Sequence, residues 1–137
     1  MKKKNNHIIK STKLEFGTAE LRSDVVLTFI PNENFTAYSV PVLEKMLVTF
    51  KEITNGVPHL YFCDNTQIDN PKITSEGKIF MTDHFHEFAT HFAMTEDSAI
   101  TRFVAPTFIY LYKPKVPIKM FKKKKDAINW LKSINKQ

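Results

Sequence analysis

The chain has 137 residues, of which 42% are hydrophobic and 25% are charged, and it contains one cysteine and three widely separated glycines. This composition is typical of one globular domain, and it excludes an intrachain disulfide, a cysteine-based zinc site and a glycine-rich phosphate loop. The net charge of +6 is uneven, with +5 on residues 1–13, −7 on residues 14–112 and +8 on residues 113–137. Because the middle of the chain is acidic, the pattern differs from that of a uniformly basic nucleic-acid-binding protein.

Residues 1–12 are predicted to form a flexible basic arm, and residues 13–137 a single α/β domain. No run approaches the ~20 apolar residues that cross a bilayer, and the N-terminal lysines precede no signal-peptide core. The single cysteine fits a reducing compartment, so we expect a cytoplasmic protein.

The first elements are a hairpin and a helix. Two extended runs, residues 16–22 and 25–30, flank a polar Ser-Asp pair and predict an antiparallel hairpin. Apolar residues at helical spacing then predict a helix from about Ser39, whose hydroxyl can cap it, to the stop signal Asn55-Gly56.

The apolar run from Pro58 to Asp64 predicts the central strand of the sheet, buried on both faces. The later elements are predicted, in order, as a helix from Thr74, a short strand at 92–95 that periodicity alone does not distinguish from continued helix, a helix from Asp97 broken or kinked by Pro106, a strand at 118–121 and an amphipathic helix at 125–135. This alternation indicates a mixed sheet of about five strands, in which an N-terminal antiparallel hairpin is followed by βα units.

The C-terminal third resembles a known family. The segment from Lys113 to Phe121, followed by Ala127 and the pair Trp130-Leu131, is similar to the ending of bacterial proteins of the STAS-like superfamily. That superfamily includes anti-sigma-factor antagonist domains and is often placed beside the lipid-binding CRAL-TRIO domains. The resemblance implies a STAS-like fold and a regulatory or protein-interaction role.

The loop after the central strand departs from that pattern. Antagonist domains of the superfamily carry a phosphorylatable serine and a glycine at the start of the next helix. Here the loop from Asp64 to Pro71 has neither, and the next serine and glycine are Ser75 and Gly77. A phosphate on Thr74 or Ser75, in a first helical turn, would be electrostatically favourable.

The candidate binding residues fall in two groups. The first follows the central strand, where the carboxyl ends of parallel strands open onto a crevice. The second lies on the predicted third helix, where Ser98 and Arg102 also fit the family resemblance and two phenylalanines offer an apolar surface. Together they are Asp64, Asn65, Thr66, Asp69, Ser98, Arg102, Phe103 and Phe108.

The densest group of metal-ligand types contains His84, His86, Glu87 and His91. A helix would bring His84, Glu87 and His91 to one face, but the histidine spacing is one residue too long for the zincin pattern. A solvated polar face is the favoured interpretation, so no metal and no cofactor are predicted.

The lysine run Lys122–Lys125 is interpreted first as a solvated edge of the protein. An anionic membrane surface or an acidic partner would fit it as well. The run contains no aromatic residue, and the chain has only two arginines, Arg22 and Arg102, which argues against nucleic acid as the partner.

The sequence therefore predicts a non-catalytic STAS-like module that binds a protein partner through the loop after the central strand and the third helix, with a homodimer as one option. The alternative function is a carrier of lipid or another apolar ligand, using a pocket beside the third helix. An enzyme with a metal or carboxylate site around Asp64 or His84 ranks third.

Overall fold

The computed structural model describes residues 7–68, 72–97 and 115–135. These residues form eight strands and three α-helices, with a short 3-10 turn, Phe85–Glu87, after the second helix. In chain order the elements are β1 (Ile8–Leu14), β2 (Gly17–Arg22), β3 (Val26–Pro31), β4 (Ala37–Tyr38), α1 (Val40–Ile53), β5 (His59–Cys63), β6 (Lys72–Ile73), α2 (Ser75–His84), β7 (Ala89–Thr95), β8 (Ile118–Phe121) and α3 (Lys124–Asn135).

Six of the strands form one mixed sheet in the order β1-β2-β3-β5-β7-β8. The first three strands are antiparallel to one another, whereas β3, β5, β7 and β8 run parallel. The predicted hairpin, the βα units and the central position of β5 are therefore confirmed. The two remaining strands, β4 and β6, form a separate parallel pair that the sequence did not indicate.

One face of the sheet is covered by α1 and α2 and is rich in aromatic side chains. Tyr61 of β5 lies at its centre, with ring centroids 5.2 Å from Phe50, 5.1 Å from Phe88 and 4.8 Å from Phe92. All four side chains are buried. Edge-to-face contacts of this kind add to the stability gained from burying apolar area.

The opposite face of the sheet is covered by α3. Because side chains alternate along a strand, Leu60 and Phe62 of β5 point to this face, where they meet Ala127 and Leu131 of α3. Both α3 residues are fully buried, as their helical spacing predicted. The cluster is smaller than the aromatic one on the other face.

The turn between β2 and β3 contains a residue in an unusual conformation. Val25 was predicted as the first residue of the strand, but it lies in the turn with φ of 59°. The Asp24 carboxylate accepts a hydrogen bond from Val26 N–H at 3.2 Å, which closes the turn. A β-branched residue is strained in this left-handed region.

Two other predictions differ from the structure, and a third lies outside the described residues. Residues 8–12, expected in the flexible arm, belong to β1 and pair with β2, while residues 1–6 lie outside the described part of the chain. Ser39 precedes α1, but its side chain makes no capping hydrogen bond; in α2, by contrast, Thr74 accepts one from Gly77 N–H. The predicted third helix falls within residues 98–114, also outside the described residues.

Candidate functional site

The candidate site lies where β5 and β7 end and α3 begins. We call the group formed by Asp64, Asn65, Thr66, Thr95 and Lys124 the rim. Its acidic member, Asp64, has a side chain only 5% exposed, and Lys124 Nζ lies 3.3 Å from its Oδ2. Its other carboxylate oxygen accepts hydrogen bonds from the backbone N–H and the hydroxyl of Thr66. The carboxylate therefore holds the loop and the start of α3 together.

Asn65 connects the rim to the protein interior. Its backbone N–H donates to Thr95 Oγ1 at 2.8 Å, and its side-chain nitrogen donates to the Thr95 carbonyl at 3.3 Å. Its side-chain oxygen accepts a hydrogen bond of 2.7 Å from the Tyr38 hydroxyl. Since a buried amide without partners would be costly, these bonds fix the loop conformation.

Cys63 lies beneath the rim and is buried. The Tyr38 hydroxyl is 2.9 Å from its Sγ. Burial raises the pKa of the Cys63 thiol to about 12, and burial also raises the pKa of Tyr38 and Tyr61 well above the usual value for tyrosine. All three groups are therefore protonated at neutral pH, so Cys63 acts as a small buried side chain and has little nucleophilic character.

The structure brings together part of the predicted site. Asp64, Asn65 and Thr66 lie side by side in the rim. Asp69, Ser98, Arg102, Phe103 and Phe108 lie outside the described residues, so their participation stays a prediction.

Sequence reasoning missed three members of this arrangement: Tyr38, Thr95 and Lys124. Thr95 could have been predicted, because it ends β7, the strand next to β5, and the carboxyl ends of parallel strands lie at the same edge of the sheet. Tyr38 carried no comparable signal, since it belongs to the short strand β4. Lys124 was part of a lysine run in which nothing distinguished one member from the next.

The histidine group does not form the helical face that its spacing allowed. Helix α2 ends at His84, and His91 lies in β7 with its ring 6.1 Å from that of Trp130. Glu87 instead pairs with His84 Nδ1 at 2.8 Å and with Lys51 Nζ at 2.9 Å. The described residues contain no group of three or more His, Cys, Asp or Glu side chains placed to hold a metal ion.

Two spaces beside the sheet differ in size. Under α1 and α2, the cavity lined by Tyr38, Tyr61 and Cys63 measures about 10 Å³, which is room for a single water molecule. On the α3 side, a groove of about 470 Å³ lies between Lys124 and the strands β2 and β3. No helix in the described part of the chain is long and apolar enough to span a membrane.

Comparison with models of protein families shows to which family the chain belongs. Residues 20–135 match the family model described as a domain of unknown function, DUF7793. The chain belongs to the DUF7793 family. No curated protein matches it.

This DUF7793 chain is also similar to a solved structure, that of a protein from the DUF3478 family of Shewanella loihica PV-4, described as having a SpoIIAA-like fold. The two chains are 16% identical, with a TM-score of 0.55, and the match covers 96% of this chain and 98% of the other. The SpoIIAA-like fold is the STAS-like fold, so the resemblance seen in the C-terminal third is confirmed at the level of the fold. At this identity the comparison concerns the fold alone.

Two of the three hydroxyls in and after the rim of this DUF7793 chain already have structural roles. Thr66 donates its hydroxyl hydrogen bond to Asp64, and Thr74 caps α2 by accepting one from Gly77 N–H at 2.9 Å. Ser75, in the first turn of α2, is exposed.

Proposed function

We propose that this protein is a non-catalytic regulatory module that binds a protein partner through the rim and the loop that follows it. The observation that carries the proposal is the internal pairing of the rim. Its carboxylate, amide and ammonium groups bond to one another and to buried neighbours. This leaves Thr66 and Gln67 exposed next to Asp64 and Asn65, whose positions these bonds fix.

The hydrogen bonds and the ion pair within the rim favour a binding role over a catalytic role. A general base or a nucleophile must have a lone pair directed at the substrate and a pKa near the working pH. Asp64 shares its oxygens with Lys124 and Thr66, and the Cys63 thiol is protonated and buried. Side chains and backbone that are already fixed, as at residues 64–66, lose little conformational entropy when a partner binds, which is the advantage of a preorganised contact surface.

The carrier function has less support in the described residues. The cavity lined by Tyr38, Tyr61 and Cys63, between the sheet and α1 and α2, admits one water molecule and is too small for an acyl chain. The pocket beside the predicted third helix involves residues 98–114, outside the described ranges.

Site-specific crosslinking in the native host tests the proposal. A photo-crosslinking amino acid is placed at Gln67 in the exposed loop. The matched control places it at Val48, which is 59% exposed on α1. We expect one dominant adduct from Gln67 that is absent from Val48, and a complex with the same protein when both components are purified.

Equal adducts from Gln67 and Val48, or adducts that the purified proteins do not reproduce, would contradict a rim-directed partner. Copurification of a small molecule that is chemically turned over by the purified protein would contradict a non-catalytic role.

A further inference from the structure

The most strongly charged surface of the described chain lies on β8 and α3. Residues 115–135 contain seven lysines and one acid, Asp126. Of these lysines only Lys124 has a carboxylate within ion-pair distance among the described residues. The exposed members without such a partner are Lys115, Lys119, Lys122, Lys123, Lys125 and Lys132. We call these six side chains the lysine surface.

Among the described residues, the same surface includes an edge strand of the sheet with no strand on its outer side. In the described residues β8 pairs with β7 alone. The carbonyls of Pro117 and Phe121 accept hydrogen bonds from Phe92 and Glu96, so they face β7. In a parallel ladder alternate residues face opposite sides, and Ile118 and Met120 therefore direct their N–H and C=O groups away from β7. These groups can pair with another extended chain.

One lysine of this surface, Lys119, lies over two aromatic rings. Lys119 Nζ is 5.5 Å from the ring centre of Phe121 and 5.9 Å from that of Trp130. Both rings are half-buried. The ammonium group is held over the rings at a defined position, which favours a directed charge contact over a diffuse one.

We propose that the outer edge of β8, together with the lysine surface, binds an acidic extended segment of a partner protein. The proposal rests on the proposed function and adds the chemistry of the partner. Lysines on an edge strand repel most other strands and so protect the sheet from aggregation. They admit a strand that carries carboxylates, because opposite charges across neighbouring strands stabilise the pair.

The observations favour a peptide over a lipid surface. The large apolar side chains that are most exposed in the described residues are Ile8, Ile9, Val25, Val48, Val57 and Ile79. None of them belongs to β8 or α3, so this surface has no strongly exposed apolar group to insert between lipids. A membrane also offers no backbone groups to pair with Ile118 and Met120.

Trp130 gives a direct readout, because it is the only tryptophan of the chain. A short peptide of alternating glutamate and valine is titrated into the purified full chain while the Trp130 emission is recorded. We expect a saturable change that weakens as salt is added, because the contact is electrostatic. A proline in place of the central valine is expected to weaken binding, since it removes a backbone N–H.

Two charge-reversal variants make a matched pair. The Lys122→Glu/Lys123→Glu variant changes the proposed surface, and Lys10→Glu/Lys13→Glu makes the same change in net charge on exposed residues of β1, at the other edge of the sheet. The first is expected to weaken binding by about tenfold or more and the second to leave it within about twofold. In the wild type, the amide NMR signals of Ile118 and Met120 are expected to shift on peptide binding, which requires no variant.

Equal losses in the two variants would overturn the proposal, because they would indicate attraction to net charge alone. Tighter binding to phosphatidylserine vesicles or to duplex DNA than to the peptide would also overturn it. So would the absence of a saturable change. Because these readouts do not involve Gln67, a failure of this proposal gives a different result from a failure of the rim-directed function and can be distinguished from it.

Discussion

The two faces of the sheet are built differently. The α1 and α2 face is filled by interlocking aromatic rings around Tyr61 and leaves a cavity of about 10 Å³. The α3 face has a smaller cluster that includes Leu131, and beside it lie a groove of about 470 Å³ and an exposed row of lysines. The first face stabilises the fold, whereas the second leaves polar groups at the protein surface. Contact with a partner is therefore best sought at the margin of the α3 face.

Truncating one buried side chain on each face measures this difference. Phe88 contacts Phe50, Tyr61 and Phe85, with ring centroids no more than 5.1 Å apart. Phe88→Ala is expected to reduce the free energy of unfolding by about 3–5 kcal/mol, because the rings around it cannot close the cavity. Leu131→Ala is expected to cost about 2 kcal/mol, since its cluster is smaller and the partly buried side chains packed against it can move into the cavity. Urea denaturation gives both values.

A larger loss for Leu131→Ala than for Phe88→Ala would show that the α3 face is the main source of stability, and it would reverse the comparison.

A substitution in the strained turn between β2 and β3 is expected to increase stability. Val25 has φ of 59° and is 47% exposed, so its side chain contributes little burial to offset the strain. Val25→Asn is expected to raise the free energy of unfolding by about 0.5–1 kcal/mol, because asparagine tolerates this conformation better. Val57→Asn is the control, since Val57 is similarly exposed and is not among the residues with positive φ. A gain in both variants, or in neither, would contradict this explanation.

The smallest expected effect concerns Glu87, at the edge of the aromatic face. Hydrogen bonds from Lys51 and then His84 lower the pKa of this carboxyl to about 2, against 4.5 for the free group. Its stabilising contribution is therefore present above about pH 4.5 and is lost as the pH falls from there towards 2. Because the pair is partly exposed, we expect it to contribute less than about 1 kcal/mol.

Urea unfolding at pH 6 and at pH 3 measures this contribution. Glu87→Gln is expected to lower stability at the higher pH and to approach the wild type at the lower pH. Glu52→Gln, at an exposed site on α1 with no ion-pair partner among the described residues, is the control. A pH dependence of Glu87→Gln identical to that of the wild type would exclude the assigned role.

Much of the fold was predictable, because it depends on periodicity. The apolar run at β5 and the helical spacing of Ala127 and Leu131 each report burial directly. The strand β1 was missed because its side chains are almost all exposed, so residues 8–12 carry no alternating apolar pattern. Backbone pairing with β2 holds these residues in the sheet. Such pairing depends little on residue type, so the composition of residues 8–12 does not reveal it.

The site was less predictable for a related reason. Asp64 and Asn65 were identified from their position at the end of a strand, but their partners are distant in sequence. Tyr38, Thr95 and Lys124 reach them only after the chain has folded. Polar contacts between such distant residues leave no periodic signature in one sequence.

We propose that a partner protein contacts residues 64–68 and 118–125, at the edge of the α3 face, while the aromatic face contributes the stability of the fold. Backbone hydrogen–deuterium exchange of the full chain, alone and with the protein that crosslinks to Gln67, tests it most directly. We expect slower exchange in residues 64–68 and 118–125 and unchanged exchange in α1 and α2. Protection confined to α1 and α2, with residues 64–68 and 118–125 unchanged, would contradict it.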